Sequence, residues 1–296
     1  MRLFYFETQN YANAAEKATV FKIFFVYREL RQSRNILDAR TDGLLKVELY
    51  YFFVLSLQID MSCILHIETS TDVCSVALSE NGACIFKQEN SEGRNHARLV
   101  APYADEAISF ADSHAIPLDA VAVSTGPGSY TGLRIGVSVA KGICYARDLK
   151  LIALPTLKVM CVPILLRDEL PDDALLCPMI AARRMEVYSC IYDRALKEVR
   201  PISADVITAD SFQEELTDRP LYFFGDGAEK CRSVISHANA HFIDGIVPKA
   251  KYMFPLAEQA YARGQFEDVA YFEPYYLKQF VPVQSKKVFN VLHKHK

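Results

Sequence analysis

The sequence predicts an α/β protein made of two copies of one mixed-sheet unit, and three observations carry that expectation. Short apolar runs of strand length alternate with longer runs of helical spacing. Their order, three strands and then helix, strand, helix, strand, occurs twice in outline. A composition break near residue 60 sets the start of the repeating part: residues 1–60 hold 12 of the 34 aromatic residues, one of the 12 glycines, and none of the 13 prolines or 8 cysteines.

In the first copy, "CILHIE" reads as a buried strand and "VCSVALS" as its hairpin partner. "ENG" is a hairpin turn and "ACIFKQ" the third strand. "GRNHARLVAPYADEAISFADSHA" places Leu99, Tyr103, Ala107 and Ala111 four apart, the spacing of an amphipathic helix, with Pro102 as a bend. "LDAVAVSTG" is a fourth strand, "YTGLRIGVSVAKGICYARD" a second helix and "LKLIALP" a fifth strand.

The second copy opens on three short strands within "CPMIAARRMEVYSCIYDRALKEV". It continues with a capped helix "TADSFQEEL", a strand "PLYFFGDG", a helix "AEKCRSVISHA", a strand "HFIDG" and a last helix "FPLAEQAYARG". In "GDGAEK", Asp226 is expected to cap that helix. The boundary between copies falls between Pro155 and Asp173, giving a first lobe over 61–160, a second over 161–289 and a tail over 290–296. Residues 1–60 form an extension outside the fold, and the folded protein is expected to start near Met61, with an upstream start as the simplest origin of the extension. The alternative is an anchoring helix in "NAAEKATVFKIFFVYRELRQSR".

Bulk properties narrow the function. With a net charge of -3, no chain-wide positive field would hold a nucleic acid, so any RNA would take most of its binding charge from a partner. The eight cysteines include no CxxC pair and read as reduced thiols of a cytoplasmic protein. The longest apolar run, Leu49 to Leu57, is about half of the ~20 residues a membrane span needs, so no membrane association is expected.

The stretch "GPGSYTGLRIG", residues 126–136, follows a strand and opens a helix, where backbone amides and the helix dipole suit an anion. Thr69, Ser70, Gly126, Gly128 and Ser129 are the candidate anion or nucleotide contacts. As a P-loop the stretch fails, because Leu133 and Arg134 follow Gly132 in place of Lys and Ser/Thr. As a dinucleotide fingerprint it fails because Thr131 takes the third glycine's place. Ser129 has no base and acid paired with it in sequence, against a hydrolase. A steric role remains: Gly132, Gly136, Ala140 and Cys144 bare one helix face for close approach, either to the domain's own sheet or to a partner.

With these residues in view the chain resembles the TsaB family of bacterial tRNA threonylcarbamoyladenosine biosynthesis proteins. "IETSTDVCSVAL", "GRNHARLVAPYADEAI", "AVSTGPGSYTGLRIGVSVAKGI", "ARRMEVY" and "FEPYYLK" carry the likeness over about 61 to 289, and "STGPGSYTGLRIG" is its most specific part. The resemblance implies the two-lobed fold of actin, Hsp70 and the sugar kinases. It also implies a non-catalytic subunit that pairs with a TsaD-like transferase, joins a TsaE-like ATPase and meets tRNA through the complex, or self-associates as a homodimer when alone. No cofactor of its own is implied, ATP and metal belonging to the partner subunits. The implied partner surface is His96, Leu99, Val100, Tyr103, Thr131, Gly132, Arg134, Ile135, Gly136, Val139 and Ala140. TsaD-like subunits hold metal with HxxxH on the first-lobe helix, whereas His96 is followed four residues later by Val100. His237 and His241 repeat that spacing in "HANAH" but straddle an expected helix end and strand start. Glu68 stands where such folds often have Asp, and Ala181 stands where the TsaB pattern usually has Asp, which removes a carboxylate near the cleft and weakens nucleotide chemistry there. An ATP-dependent kinase or transferase of the same two-lobed superfamily is the alternative function.

Overall fold

The computed structural model describes residues 62–93, 95–165 and 170–278. The expected extension over 1–60, its anchoring-helix alternative and the tail over 290–296 lie outside the described residues.

The first unit runs β1 (Cys63–Glu68), β2 (Cys74–Glu80), β3 (Ala83–Asn90), α1 (His96–Ser113), β4 (Ala120–Gly126), α2 (Tyr130–Arg147) and β5 (Lys150–Pro155). α3 (Thr156–Leu165) follows. The second unit runs β6 (Leu175–Ala181), β7 (Glu186–Tyr192), β8 (Glu198–Val206), α4 (Gln213–Asp218), β9 (Leu221–Phe224), α5 (Asp226–Cys231) and β10 (Ala240–Ile243). A 3-10 turn (Ala250–Tyr252) and α6 (Phe254–Ala262) complete it.

The duplication is visible in the strand order. The first sheet reads β3-β2-β1-β4-β5 and the second β8-β7-β6-β9-β10, the same order of places. In each, the first three strands pair antiparallel and the last two add in parallel. Asn81 and Gly82 both take positive φ, 53° and 71°, which closes the two-residue β2–β3 hairpin and matches the twist of its strands.

Three apolar clusters arrange these elements in layers. One face of the first sheet, with Leu65, Ile67, Val76, Val121 and Val123, packs on α1 and α2. The outer face of the second sheet, with Cys177, Met179 and Phe223, packs on residues of α4 and α5 such as Leu216 and Cys231. The largest cluster lies between the sheets: Ile64 and Ile152 of the first meet Leu176 and Phe224 of the second through Leu157, Met160 and Ile164 of α3 and Leu256, Ala257 and Ala260 of α6.

α3 is absent from the sequence-based expectation. Seven of its ten residues are buried, so it is apolar all round and shows no stripe to mark a helix. The second-unit helices are shorter than expected. α5 ends at Cys231, Asp226 is its first residue rather than its cap, and α4 starts after Phe212 with no side-chain cap. Among the described residues no helix is long and apolar enough to cross a membrane.

Candidate functional site

The glycine-rich stretch forms the junction between β4 and α2, and the chain itself fills it. Ser129 caps α2 by accepting the Gly132 amide at 3.2 Å, while its own amide donates to the Ser70 carbonyl at 2.6 Å. Thr69 Oγ1 donates to the Gly132 carbonyl at 2.8 Å. A Cβ built on Gly128, Gly132 or Gly136 would fall well under 3.0 Å from, respectively, the Ser70 carbonyl oxygen, the Thr69 carbonyl oxygen and Thr69 Oγ1. Gly128 just before α2 and Gly132 and Gly136 on its inner face thus receive the β1–β2 turn. On the other side, Gly126 at φ +110° lies against the Tyr275 carbonyl, and the Tyr275 amide donates to Thr125 O at 2.8 Å.

This arrangement corrects two expectations. Gly132, Gly136 and Ala140 are buried against the protein's own sheet and turn, and Val100 and His96 are buried beneath α1, so these five present no surface to a partner. The bare helix face serves the close approach of Thr69, which a larger side chain would block. Leu99, Tyr103, Ile135 and Val139 are only partly buried, and Thr131 and Arg134 are exposed. Of the expected anion contacts, Thr69 and Ser70 are fully buried and Gly126 is covered by Tyr275. The amides of Ser129 and Gly132, two of the four that a helix start leaves without an intrahelical acceptor, already have acceptors within the chain.

A cleft of about 790 Å³ opens beside this junction, between the two sheets. One wall is the β1–β2 turn and the start of α2; the other is the β6–β7 hairpin and Asp226, with Tyr275 to Lys278 running across. Its charged groups are largely committed. Lys278 pairs with Glu186, and Asp226 Oδ1 accepts the Ala181 amide at 3.0 Å. Lys230 donates to the carbonyls of Ala182, Arg184 and Glu186 at 3.1, 2.8 and 2.5 Å, clamping the hairpin from α5. Arg134 donates to the Tyr130 hydroxyl at 3.0 Å, and the Tyr130 and Tyr276 rings lie 4.7 Å apart. Sequence reasoning missed the roles of Tyr275 to Lys278 within "FEPYYLK", because the segment is irregular and carries no period.

Two buried ionisable groups line the inner face of β1. Glu68 is fully buried, and burial raises its pKa; the Ser70 and Ser124 hydroxyls and the Ser70 and Thr69 amides oppose that shift without reversing it. Its Oε1 accepts the Ser70 amide at 2.7 Å, and Oε2 has no well-placed partner among the described residues. His66, two residues earlier, has its pKa lowered to about 3 by burial and shares a 2.7 Å hydrogen bond with Ser79 Oγ. His66 is therefore neutral near pH 7, and burial shifts Glu68 toward its protonated form. His237 and His241 do not share a face: His241 stacks on Tyr222 at 4.8 Å, and His237 Nδ1 accepts the Asn239 amide.

Fold and site together define a two-lobed α/β protein whose glycine-rich turn is filled by its own chain. Its particular family follows from comparison with known proteins. Residues 90–271 match the profile of TsaD, tRNA N6-adenosine threonylcarbamoyltransferase. The tRNA threonylcarbamoyladenosine biosynthesis protein TsaB of Haemophilus influenzae is 29% identical over 74% of this chain and 94% of its own. That of Bacillus subtilis is 30% identical over 55% of this chain and 70% of its own. A solved Pseudomonas aeruginosa protein with similarity to the peptidase YeaZ superposes with a TM-score of 0.64 at 24% identity, over 74% of this chain and 100% of that one. The chain belongs to the TsaB/TsaD family of tRNA threonylcarbamoyladenosine biosynthesis proteins.

Proposed function

We propose that the protein is the non-catalytic, activating subunit of a tRNA N6-threonylcarbamoyladenosine-forming complex, and that it pairs with a TsaD-like transferase through the outer surface of α1 and α2. The observation that carries the reading is the glycine-rich turn. A phosphate at this turn would draw on its amides, whereas here the Ser129 amide is taken by the Ser70 carbonyl and the Gly132 amide by the Ser129 hydroxyl, with the β1–β2 turn packed on the glycines. The first-lobe helix also offers a single imidazole, His96, with Val100 four residues on. What it does offer at its surface is a pair of partly exposed apolar rows, Leu99 and Tyr103 on α1 beside Ile135 and Val139 on α2, flanked by Thr131 and Arg134. On this reading the surface lies in the first lobe, within 61–160, and 161–289 supplies the second lobe. A TsaE-like ATPase joins the pair, tRNA is met within the complex, ATP and metal are used by the partner subunits, and the assembly works in the cytoplasm.

Reconstitution tests the proposal. The chain alone, given tRNA and threonylcarbamoyl-adenylate, is expected to form no modified adenosine, and modification is expected once a TsaD-like subunit is added. Turnover by the isolated chain would overturn the reading. Leu99→Asp or Val139→Asp should each weaken pairing about tenfold to a hundredfold by placing an unpaired charge in an apolar contact, read by calorimetric titration against the transferase subunit. Undiminished pairing in either folded variant would exclude this helix face.

A further inference from the structure

We propose that the rim of the inter-sheet cleft at the β6–β7 hairpin holds a single-stranded segment of RNA, with Arg183 and Arg184 on its phosphates and Tyr275 beneath an unstacked base. The RNA identity of this ligand rests on the proposed function; the site rests on the following geometry.

Arg183 and Arg184 are exposed residues at the tip of the hairpin, and Arg183 lines the cleft. The tip is held by its own Glu186 N to Arg183 O bond at 3.1 Å, by the three carbonyl bonds from Lys230 and by Asp226 on the Ala181 amide. Two guanidinium groups are thus carried on a backbone fixed by a second element, which lowers the ordering cost of a phosphate contact. Tyr275 lines the same cleft as Arg183, with a residue exposure of 46%. Its amide bond to Thr125 and the seating of its carbonyl on Gly126 fix its backbone to the end of β4. A half-exposed tyrosine on an anchored backbone that lines one cleft with an exposed arginine is the combination that binds single strands through stacking and phosphate contacts.

A free nucleoside triphosphate fits less well. Its phosphates would need the amides at the start of α2, and those of Ser129 and Gly132 already bond within the chain. The cations lie at the rim, while Asp72 on the opposite wall adds negative charge. Few phosphates are engaged, in keeping with the net charge of -3.

The test is equilibrium binding of an unmodified tRNA transcript to the complex with the transferase subunit, across a salt series. Arg183→Ala/Arg184→Ala is expected to weaken binding about tenfold and to flatten the slope of log K against log salt by about 1.4, at ~0.7 for each single-strand phosphate. Arg183→Lys/Arg184→Lys should keep the slope. Tyr275→Ala should weaken binding about tenfold with the slope unchanged. Wild-type affinity and slope in the alanine variants would overturn the proposal, as would displacement of tRNA by ATP or AMP at equal concentration, which would make the cleft a nucleotide pocket. If the double variant fails to pair with the transferase, Arg184→Ala alone carries the measurement, with half the change in slope. Failure of the wild-type chain to pair at all would sink the proposed function, whereas pairing and modification with unaltered tRNA binding would sink only this site.

Discussion

Gly132→Ala is expected to destabilise the protein by about 2 to 3 kcal/mol, whereas Gly142→Ala on the same helix is expected to stabilise it by about 0.5 to 1 kcal/mol. Intrinsic helix propensity argues for a gain at both positions, since glycine is the worst ordinary residue in a helix interior. Packing separates them. A Cβ at position 132 would meet the Thr69 backbone carbonyl, which cannot rotate away, and relieving that clash would also disturb the Thr69 Oγ1 to Gly132 O bond. Gly132 also lies in the first turn, where propensity counts for little. A Cβ at 142 meets nothing within 4 Å, so only the propensity remains. Urea unfolding midpoints at unchanged m-value read both effects. A stabilised Gly132→Ala variant would show that the turn is not seated against the helix as described.

The same contrast shows what could be read from the sequence. The duplicated order of strands and helices was legible because strand and helix periods differ, and because "ENG" is strong hairpin chemistry. The spacing of Gly132, Gly136 and Ala140 disclosed a face that something approaches closely. It did not disclose what approaches, because a bare face is compatible with a strand turn, a neighbouring helix or another chain. Only the placement of Thr69 and Ser70 resolves it. α3 was illegible for the opposite reason: a segment buried on every side has no periodic contrast to detect. The Lys230 clamp on the hairpin joins residues far apart in the chain, and nothing local marks Lys230 as other than an exposed helix lysine.

Seating of the turn also bears on the amides at the start of α2. A helix start leaves amides that must find acceptors, and an anion is one solution. Here the Ser129 hydroxyl and the Ser70 carbonyl are the acceptors for two of them, the amides of Gly132 and Ser129. α2 is thereby held firmly against the first sheet on its inner face, leaving Ile135 and Val139 on the side proposed to meet the transferase. Rigidity of the inner contact favours the outer one, since a surface already ordered loses less entropy on pairing.

Glu68→Gln is expected to make the protein more stable than the wild type by an amount that grows with pH. Burial raises the folded-state pKa of Glu68 above its ordinary 4.5, so the folded state holds a proton that the unfolded chain releases. Its favourable contribution is complete below pH 4.5 and is lost as pH rises through the folded pKa, at about 1.4 kcal/mol per pH unit inside that window. His66 acts with the opposite sign. Its pKa falls from 6.5 to about 3, so its contribution is complete above pH 6.5 and is lost as pH falls toward 3. Where the two windows overlap, from pH 4.5 upward, their slopes oppose each other. Glutamine keeps an acceptor for the Ser70 amide and cannot ionise, so the variant retains only the rise due to His66 in that range. The difference between variant and wild type, measured by thermal unfolding in matched buffers, isolates Glu68 because other titrating groups cancel. A difference that stays constant from pH 4.5 to 8 would show that the folded state does not raise the pKa of Glu68, its hydrogen bonds then offsetting its burial.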